Sequence, residues 1–205
     1  MDIQWGSEGA HKFTTNVGLI TSSGPHGDNI MAAEWTHQVS YSPGLIMVNV
    51  GFDKATEENI KASKEFGVSL AAEDQNIVSS VAGGSSGREV DKIAVLKELG
   101  VEFYRAKKIN AMMVKGASLN MECKLVESIK LGDHMAFVGE VVEMSLSDKK
   151  SILYHEGKYY KGPNDARQTD AKGVMQFASG GCEPVQKPSD EMRERIRKLV
   201  EKHKK

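Results

Sequence analysis

Between Asn29 and Pro43 the chain reads Asn-Ile-Met-Ala-Ala-Glu-Trp-Thr-His-Gln-Val-Ser-Tyr-Ser-Pro, a bulky, β-prone run around two adjacent alanines, closed by a proline. Alanine has weak strand propensity, so a pair of them in a strand calls for a reason. One reason is tight packing in a core. The other is close approach: methyl-sized side chains let a flat ligand lie almost on the backbone, whose N–H and C=O groups bond its polar edge. In that case Trp35 supplies an aromatic wall and Thr36 a hydroxyl beside it.

Short β-prone runs separated by turn formers continue along the chain. Val17–Thr21 predicts a strand, and the turn-rich Ser22–Asn29 predicts an antiparallel return through Met31. Ser42-Pro43-Gly44 then turns into a strand over Leu45–Val50. Thr56 is the expected N-cap of a first helix, with Glu57 and Glu58 complementing its dipole. Ala62 and Phe66 share a face of it, and Gly67 is the expected stop before a strand over Gly67–Ala71. Ile93, Leu96 and Leu99 predict a helix over Asp91–Leu99, ended by Gly100. Met121–Leu125 and Met135–Met144 read as strands. Strands separated by turns, with helices inserted rather than alternating, indicate a mainly β, antiparallel barrel plus helices. From Gly162 the pattern changes: Pro163 to Pro188 has little periodicity, and a last helix from Ser189 places Met192, Ile196, Leu199 and Val200 on one face. The expected organisation is a barrel domain over 1–162 and an irregular extension over 163–205 ending in that helix.

A chain of 205 residues suffices for one core, and a net charge of −1 argues against a general binder of nucleic acid or membrane surface. Cys123 and Cys182 are far apart, which fits a reducing compartment better than a disulfide framework. No apolar run approaches the roughly 20 residues a membrane helix needs, and Met1–Lys12 has no signal-peptide core. A cytoplasmic protein is expected.

Four segments in order carry a resemblance: Asn29–Pro43, Leu45–Val50, Asp53–Ile60, and Gly132-Asp133-His134 leading into Met135–Val142. Together they closely resemble the flavin reductase-like family, whose members fold as an FMN-binding split β-barrel and include flavoredoxin. The likeness covers roughly residues 10–160.

FMN presents a phosphate dianion and a planar ring. For the phosphate, Thr56 offers a hydroxyl at a helix N-terminus whose N–H groups are free, Lys54 offers a full charge, and Asn59 lies on the next turn. On spacing alone this is equally a plain cap and a surface helix; the resemblance places phosphate there. Gly83-Gly84-Ser85-Ser86-Gly87-Arg88 is a second candidate anion loop, or simply a surface loop, and matches neither common phosphate fingerprint. In flavoredoxin-like relatives a similar segment precedes an Asp-Lys pair and lines the flavin, which brings in Ser86, Arg88 and Lys92. The resemblance lays Met31, Ala32, Ala33, Glu34, Trp35 and Thr36 along the ring and adds Ser40 near the following turn; Glu34 departs from the small or apolar residue common there.

The six histidines show no metal-ligand spacing, so no metal is expected. A lone histidine at a barrel rim is usually structural, but the resemblance puts His134 in the flavin or nicotinamide pocket as the candidate catalytic group. Cys123 alternates with apolar residues and reads as core, while Cys182 has no neighbouring activator.

The resemblance implies a homodimer and a reductase taking hydride from NADH or NADPH to FMN. Its rival within the fold is a flavoredoxin-type carrier reduced by a partner protein. A third reading, from another class, makes the last helix a nucleic-acid patch, since Arg193–Lys205 holds seven Lys and Arg against two Glu. A solvated helix face is the commoner meaning of such a run.

Overall fold

The structure, a computed structural model, describes residues 2–4, 6–162, 167–169, 175–177 and 183–205. Cys182 lies outside them, as does most of the stretch after Gly162. The chain begins with α1 (Glu8–His11), β1 (Thr15–Asn16), β2 (Gly18–Ser22), β3 (Asn29–Ala33), β4 (Thr36–Ser40) and β5 (Leu45–Gly51). Then come α2 (Ala55–Ser63), β6 (Glu65–Leu70), α3 (Asn76–Gly84), α4 (Lys92–Glu98), β7 (Phe103–Arg105) and β8 (Met112–Val114). The long hairpin β9 (Leu119–Leu131) and β10 (His134–Leu146) is followed by β11 (Ile152–His155) and β12 (Lys158–Lys161). Last are β13 (Arg167–Thr169), β14 (Met175–Phe177) and α5 (Asp190–Lys202).

Seven strands form one sheet in the order β3-β2-β6-β9-β10-β5-β4, every neighbouring pair antiparallel. β3 and β4 are its two edges, yet only Glu34 and Trp35 separate them in the chain. In a flat sheet the edges would stand roughly 29 Å apart, at about 4.8 Å per strand, whereas this link spans at most about 10 Å. The sheet is therefore rolled into a barrel split beside β3. The Trp35 carbonyl accepts from Asn49 N–H at 3.0 Å, and Asn16 Nδ2 donates to the Thr36 carbonyl at 2.6 Å, closing the seam.

Strand alternation produces two cores. Ile20, Val48, Val50, Phe66, Val68 and Phe137 fill the barrel. Leu19 and Ile30, on the opposite face of their strands, pack with Val78, Val81, Val95 and Leu96 of α3 and α4. Burying each large side chain contributes about 1.5–3 kcal/mol.

Several sequence expectations change. The run from Asn29 is two strands, broken at Glu34–Trp35 where the barrel seam crosses. The N-cap of α2 is Lys54, not Thr56, and it makes no side-chain capping bond. Gly67 is not a helix stop: α2 ends at Lys64, itself left-handed at φ 60°, and Gly67 lies inside β6. A methyl group there would collide with Thr21 Oγ1 and Met113 Sδ, so it is glycine for close packing. Phe66 belongs to β6 and the barrel core rather than to a helix face. Sequence missed α3, whose Ile, Val, Ser and Gly are weak helix formers; burial of Val78, Val81 and Ala82 overrides that preference. The helix at Asp91 and the one capped by Ser189 stand where expected.

Candidate functional site

β5 ends at Gly51, and the turn through Asp53, with φ 67°, delivers the chain into α2. With Lys54 as N-cap, the N–H groups of Ala55 and Thr56 have no partner among the described residues, as expected for the first turn of a helix. The Lys54 ammonium has no acidic partner among them either. The Thr56 hydroxyl is buried and accepts from Asn29 Nδ2 at 2.8 Å, so it braces β3 against α2. Asn59 is wholly buried inside the Ser22–Asn29 loop: it donates to Ser22 Oγ and the Gly27 carbonyl and accepts from His26 N–H. Its amide is occupied by the protein itself.

The Ser86–Arg88 loop lies across this junction. Gly87 packs so closely on the Asn29 amide that a Cβ would strike it. Arg88 Nε donates to the Asp53 carbonyl at 2.8 Å, and Nη2 donates to Glu58 at 2.6 Å. The His26 ring also contacts Glu58, and the hydrogen bonds from His26 and Arg88 hold that carboxyl below the usual range. Gly83 and Gly84 belong to α3 instead of the loop. The N–H groups of Ser86 and Gly87 find no partner among the described residues. Ser86 Oγ accepts from Arg88 N–H at 3.2 Å.

Lys92 opens α4 and is only 3 % exposed. Its Nζ donates to the Ala82 carbonyl at 2.8 Å. Burial first, then repulsion from Lys54 and Lys205, lowers its pKa to about 7. Two unpartnered pairs of N–H groups and the cations Lys54, Arg88 and Lys92 thus surround one place. That is the donor set an anion requires.

The edge of β3 adjoins it. Ala32 faces α3, where a Cβ on Gly83 would stand 3.4 Å from its methyl, and Ala33 faces the barrel core. The paired alanines thus admit a helix on one face and a dense core on the other. Met31 is half-buried against the barrel. A cavity of about 510 Å³ runs along this edge, lined by Ala32, Ala33, Glu34, Gly84, Tyr154 and Tyr159, within the range of small-molecule sites. Glu34 is half-buried beside it.

Trp35, half-exposed on the seam, lies 4.7 Å from the His134 ring between centroids. His134 pairs with Gly51 across β10 and β5. A Cβ on Gly51 would lie 3.6 Å from His134 Nε2 and 3.7 Å from Lys54 Cε, so imidazole and ammonium flank one backbone position. His134 Nδ1 stands 2.7 Å from the Asp133 carboxylate, and this bond holds Asp133 below the usual range. Thr36 is buried and donates to the Ala33 carbonyl at 3.2 Å. Ser40 pairs with Leu45 at the opposite end of β5 and is not brought to this place.

Sequence reasoning missed Asn29, Glu58, Asp53 and His26, which build the frame. In the sequence Asn29 reads as a turn former and as the start of the β-prone run, and no spacing links it to Thr56. Burial raises the Cys123 thiol to about 12, so it is inert core. Several basic residues in and just after α5 are engaged within the chain: Arg195, Lys202 and His203 meet Glu98, while Arg197 meets Glu194. Among the described residues no group of three or more acidic, His or Cys side chains is arranged for a metal, and no helix is long and apolar enough to cross a membrane.

The split antiparallel barrel thus sets a group of anion-suited donors beside an aromatic–imidazole edge. The chain belongs to the flavin reductase like domain family, whose sequence model matches residues 10–163. It is 25 % identical over 154 residues to an NADH-dependent flavin reductase of Rhodococcus sp, spanning 72 % of this chain and 80 % of the relative. An uncharacterised protein of Archaeoglobus fulgidus is 31 % identical over 126 residues, 62 % of this chain and 70 % of that one. Among solved structures, the Streptomyces globisporus NADH:FAD oxidoreductase in complex with NAD and FAD fragments superposes with a TM-score of 0.67 at 26 % identity, over 75 % of this chain and 88 % of that one.

Proposed function

We propose that this chain is a flavin reductase that holds FMN and oxidises NADH or NADPH. The observation that carries the reading is the cradle: free N–H groups of Ala55, Thr56, Ser86 and Gly87, framed by Lys54, Arg88 and Lys92. It suits a phosphate dianion through charge-assisted hydrogen bonds. The reading is supported by the small-residue edge Met31–Ala33, which lines a cavity with Glu34, and by the position of His134 and Lys54 on either side of Gly51, next to the Trp35 ring. Bound flavin supplies two-electron chemistry by accepting hydride from a nicotinamide.

The protein's own part is to bind, orient and polarise. Lys54, Arg88 and Lys92 neutralise the phosphate. Trp35 fixes the plane of the His134 imidazole by ring contact, and Asp133 fixes its Nδ1. His134 Nε2 is then the ring nitrogen left for a ligand, and it would hold and orient bound flavin by hydrogen bonding to its polar edge. A homodimer is supported by apolar side chains exposed along β9, namely Val126, Ile129 and Leu131, and by Tyr41 at the β4–β5 turn. The free, buried thiol of Cys123 fits a cytoplasmic setting.

The test is anaerobic. Purified protein loaded with FMN is yellow, and NADH or NADPH bleaches it. Colour that persists with both donors, and is lost only with a reduced ferredoxin-like protein, replaces the reductase by an electron carrier.

A further inference from the structure

The last residues of the chain reach back to the cradle. α5 lies beyond the 10–163 match that defines the family, and it packs Ile196, Leu199 and Val200 on the outer core. Its end is anchored at Glu98, which accepts from Lys202 and His203, each at 2.7 Å. Beyond that anchor the backbone pairs with residues 89–91, which join Arg88 to Lys92 at the start of α4. Asp91 N–H donates to the His203 carbonyl at 3.0 Å, Lys205 N–H donates to the Glu89 carbonyl at 2.6 Å, and Val90 bridges Lys204 as in a short antiparallel ladder. Lys205 Nζ then donates to the Gly87 carbonyl at 2.8 Å and to the His26 carbonyl at 2.9 Å.

The Gly87 carbonyl belongs to the loop that supplies two of the cradle's N–H groups, and the His26 carbonyl belongs to the Ser22–Asn29 loop that braces α2, the helix that supplies the other two. Gly87 packs on Asn29, and Asn29 bonds Thr56 at the start of α2. His26 heads the loop held by Asn59 of the same helix. One ammonium thus joins both loops and draws their carbonyl oxygens toward itself, so that these oxygens do not oppose an anion while the N–H groups of Ser86 and Gly87 stay free. Short loops without such a tie sample many backbone states, and each must be ordered again when a ligand binds.

We propose that residues 203–205, and Lys205 above all, are a positioning clamp that preorganises the phosphate cradle. This rests on the reading that the cradle takes the phosphate of FMN. The clamp touches no ligand, so its effect is confined to affinity for the phosphorylated flavin.

The experiment compares Kd for FMN and riboflavin, by quenching of flavin fluorescence, in the full chain and in Lys205→Met, Lys205→Arg, Glu98→Ala and Arg197→Ala. Wild type is expected to prefer FMN. Lys205→Met should weaken FMN binding about tenfold, the scale of a lost charge-assisted contact, and leave riboflavin and the melting temperature unchanged. Lys205→Arg should restore FMN binding, because a guanidinium spans the same two carbonyls. Glu98→Ala releases the anchor without touching the loops and should act like Lys205→Met, with faster amide exchange at Val90 and Asp91. Arg197→Ala, which removes only the pairing with Glu194 on the same helix, should do nothing. Full FMN preference in both Lys205→Met and Glu98→Ala overturns the clamp alone, as does an equal loss for both flavins. A wild type that binds the two flavins equally overturns the cradle and the clamp together.

Discussion

Trp35 and His134 come from opposite ends of the barrel's sequence, yet their rings stand 4.7 Å apart at an interplanar angle of 52°. The seam of the barrel produces this meeting. Trp35 occupies the link between the two edge strands, and His134 begins β10, next to β5. A rim histidine held by an indole on one side and by Asp133 on the other has its free nitrogen in one place. That makes it suitable for acting on a bound ring.

Replacing His134 with Ala should therefore slow reduction of bound FMN by NADH by about 10²–10³-fold, the usual scale of one general-acid or electrostatic group. Stopped-flow absorbance with FMN already bound separates this from affinity. An unchanged rate would make His134 a structural rim residue.

Lys54 and Thr56 should part company. Lys54→Ala removes a charge without an acidic partner among the described residues, and FMN affinity should fall tenfold or more while riboflavin affinity holds. Thr56→Ala strands the buried Asn29 amide, bonded at 2.8 Å, and should cost about 1–3 kcal/mol of stability. Calorimetry and flavin titration on the two variants tell the roles apart.

The cradle should be proton-linked through Lys92, lowered to about 7 mainly by burial. A lysine in the unfolded chain titrates near about 10.4. The unfolded state thus binds more protons between these values, and stability of the flavin-free protein should rise with pH across that window. The penalty for the buried cation is full below about 7 and gone above about 10.4. Phosphate beside Lys92 keeps it protonated, so FMN affinity should fall as pH rises through 7 while riboflavin affinity stays flat. Binding isotherms between about pH 6 and 9 would show it, and Lys92→Met should remove the slope.

Backbone strain and packing can be tested at α2 and β6. Lys64 holds φ 60° at the end of α2, so Lys64→Gly should stabilise by about 1 kcal/mol. Gly67→Ala forces a methyl onto Thr21 and Met113 and should destabilise by about 1–3 kcal/mol. Denaturant melts of both variants check the pair; a harmless Gly67→Ala would refute the packing role.

Local pattern was enough for the strands at Val17, Leu45, Met121 and Met135, the turn at Ser22–Asn29, and the helices capped by Asp91 and Ser189. Each depends on periodicity and capping chemistry within a few residues, which a sequence carries directly. The order of four segments was enough for the family, and the residue types around Lys54, Ser86 and Arg88 were enough to suspect an anion site. The tertiary structure alone decided where the barrel splits, because only sheet order puts β3 and β4 on opposite edges. It gave the Thr56 hydroxyl and the Asn59 amide internal partners, Asn29, Ser22 and Gly27, that are distant in the chain. It left Ser40 at the far end of β5, formed α3 against weak propensity, and paired Arg195 and Lys202 of the basic α5 with Glu98 and Arg197 with Glu194. Propensity and charge act within a few residues, but burial and hydrogen-bond satisfaction are settled by groups that folding brings together from far along the chain.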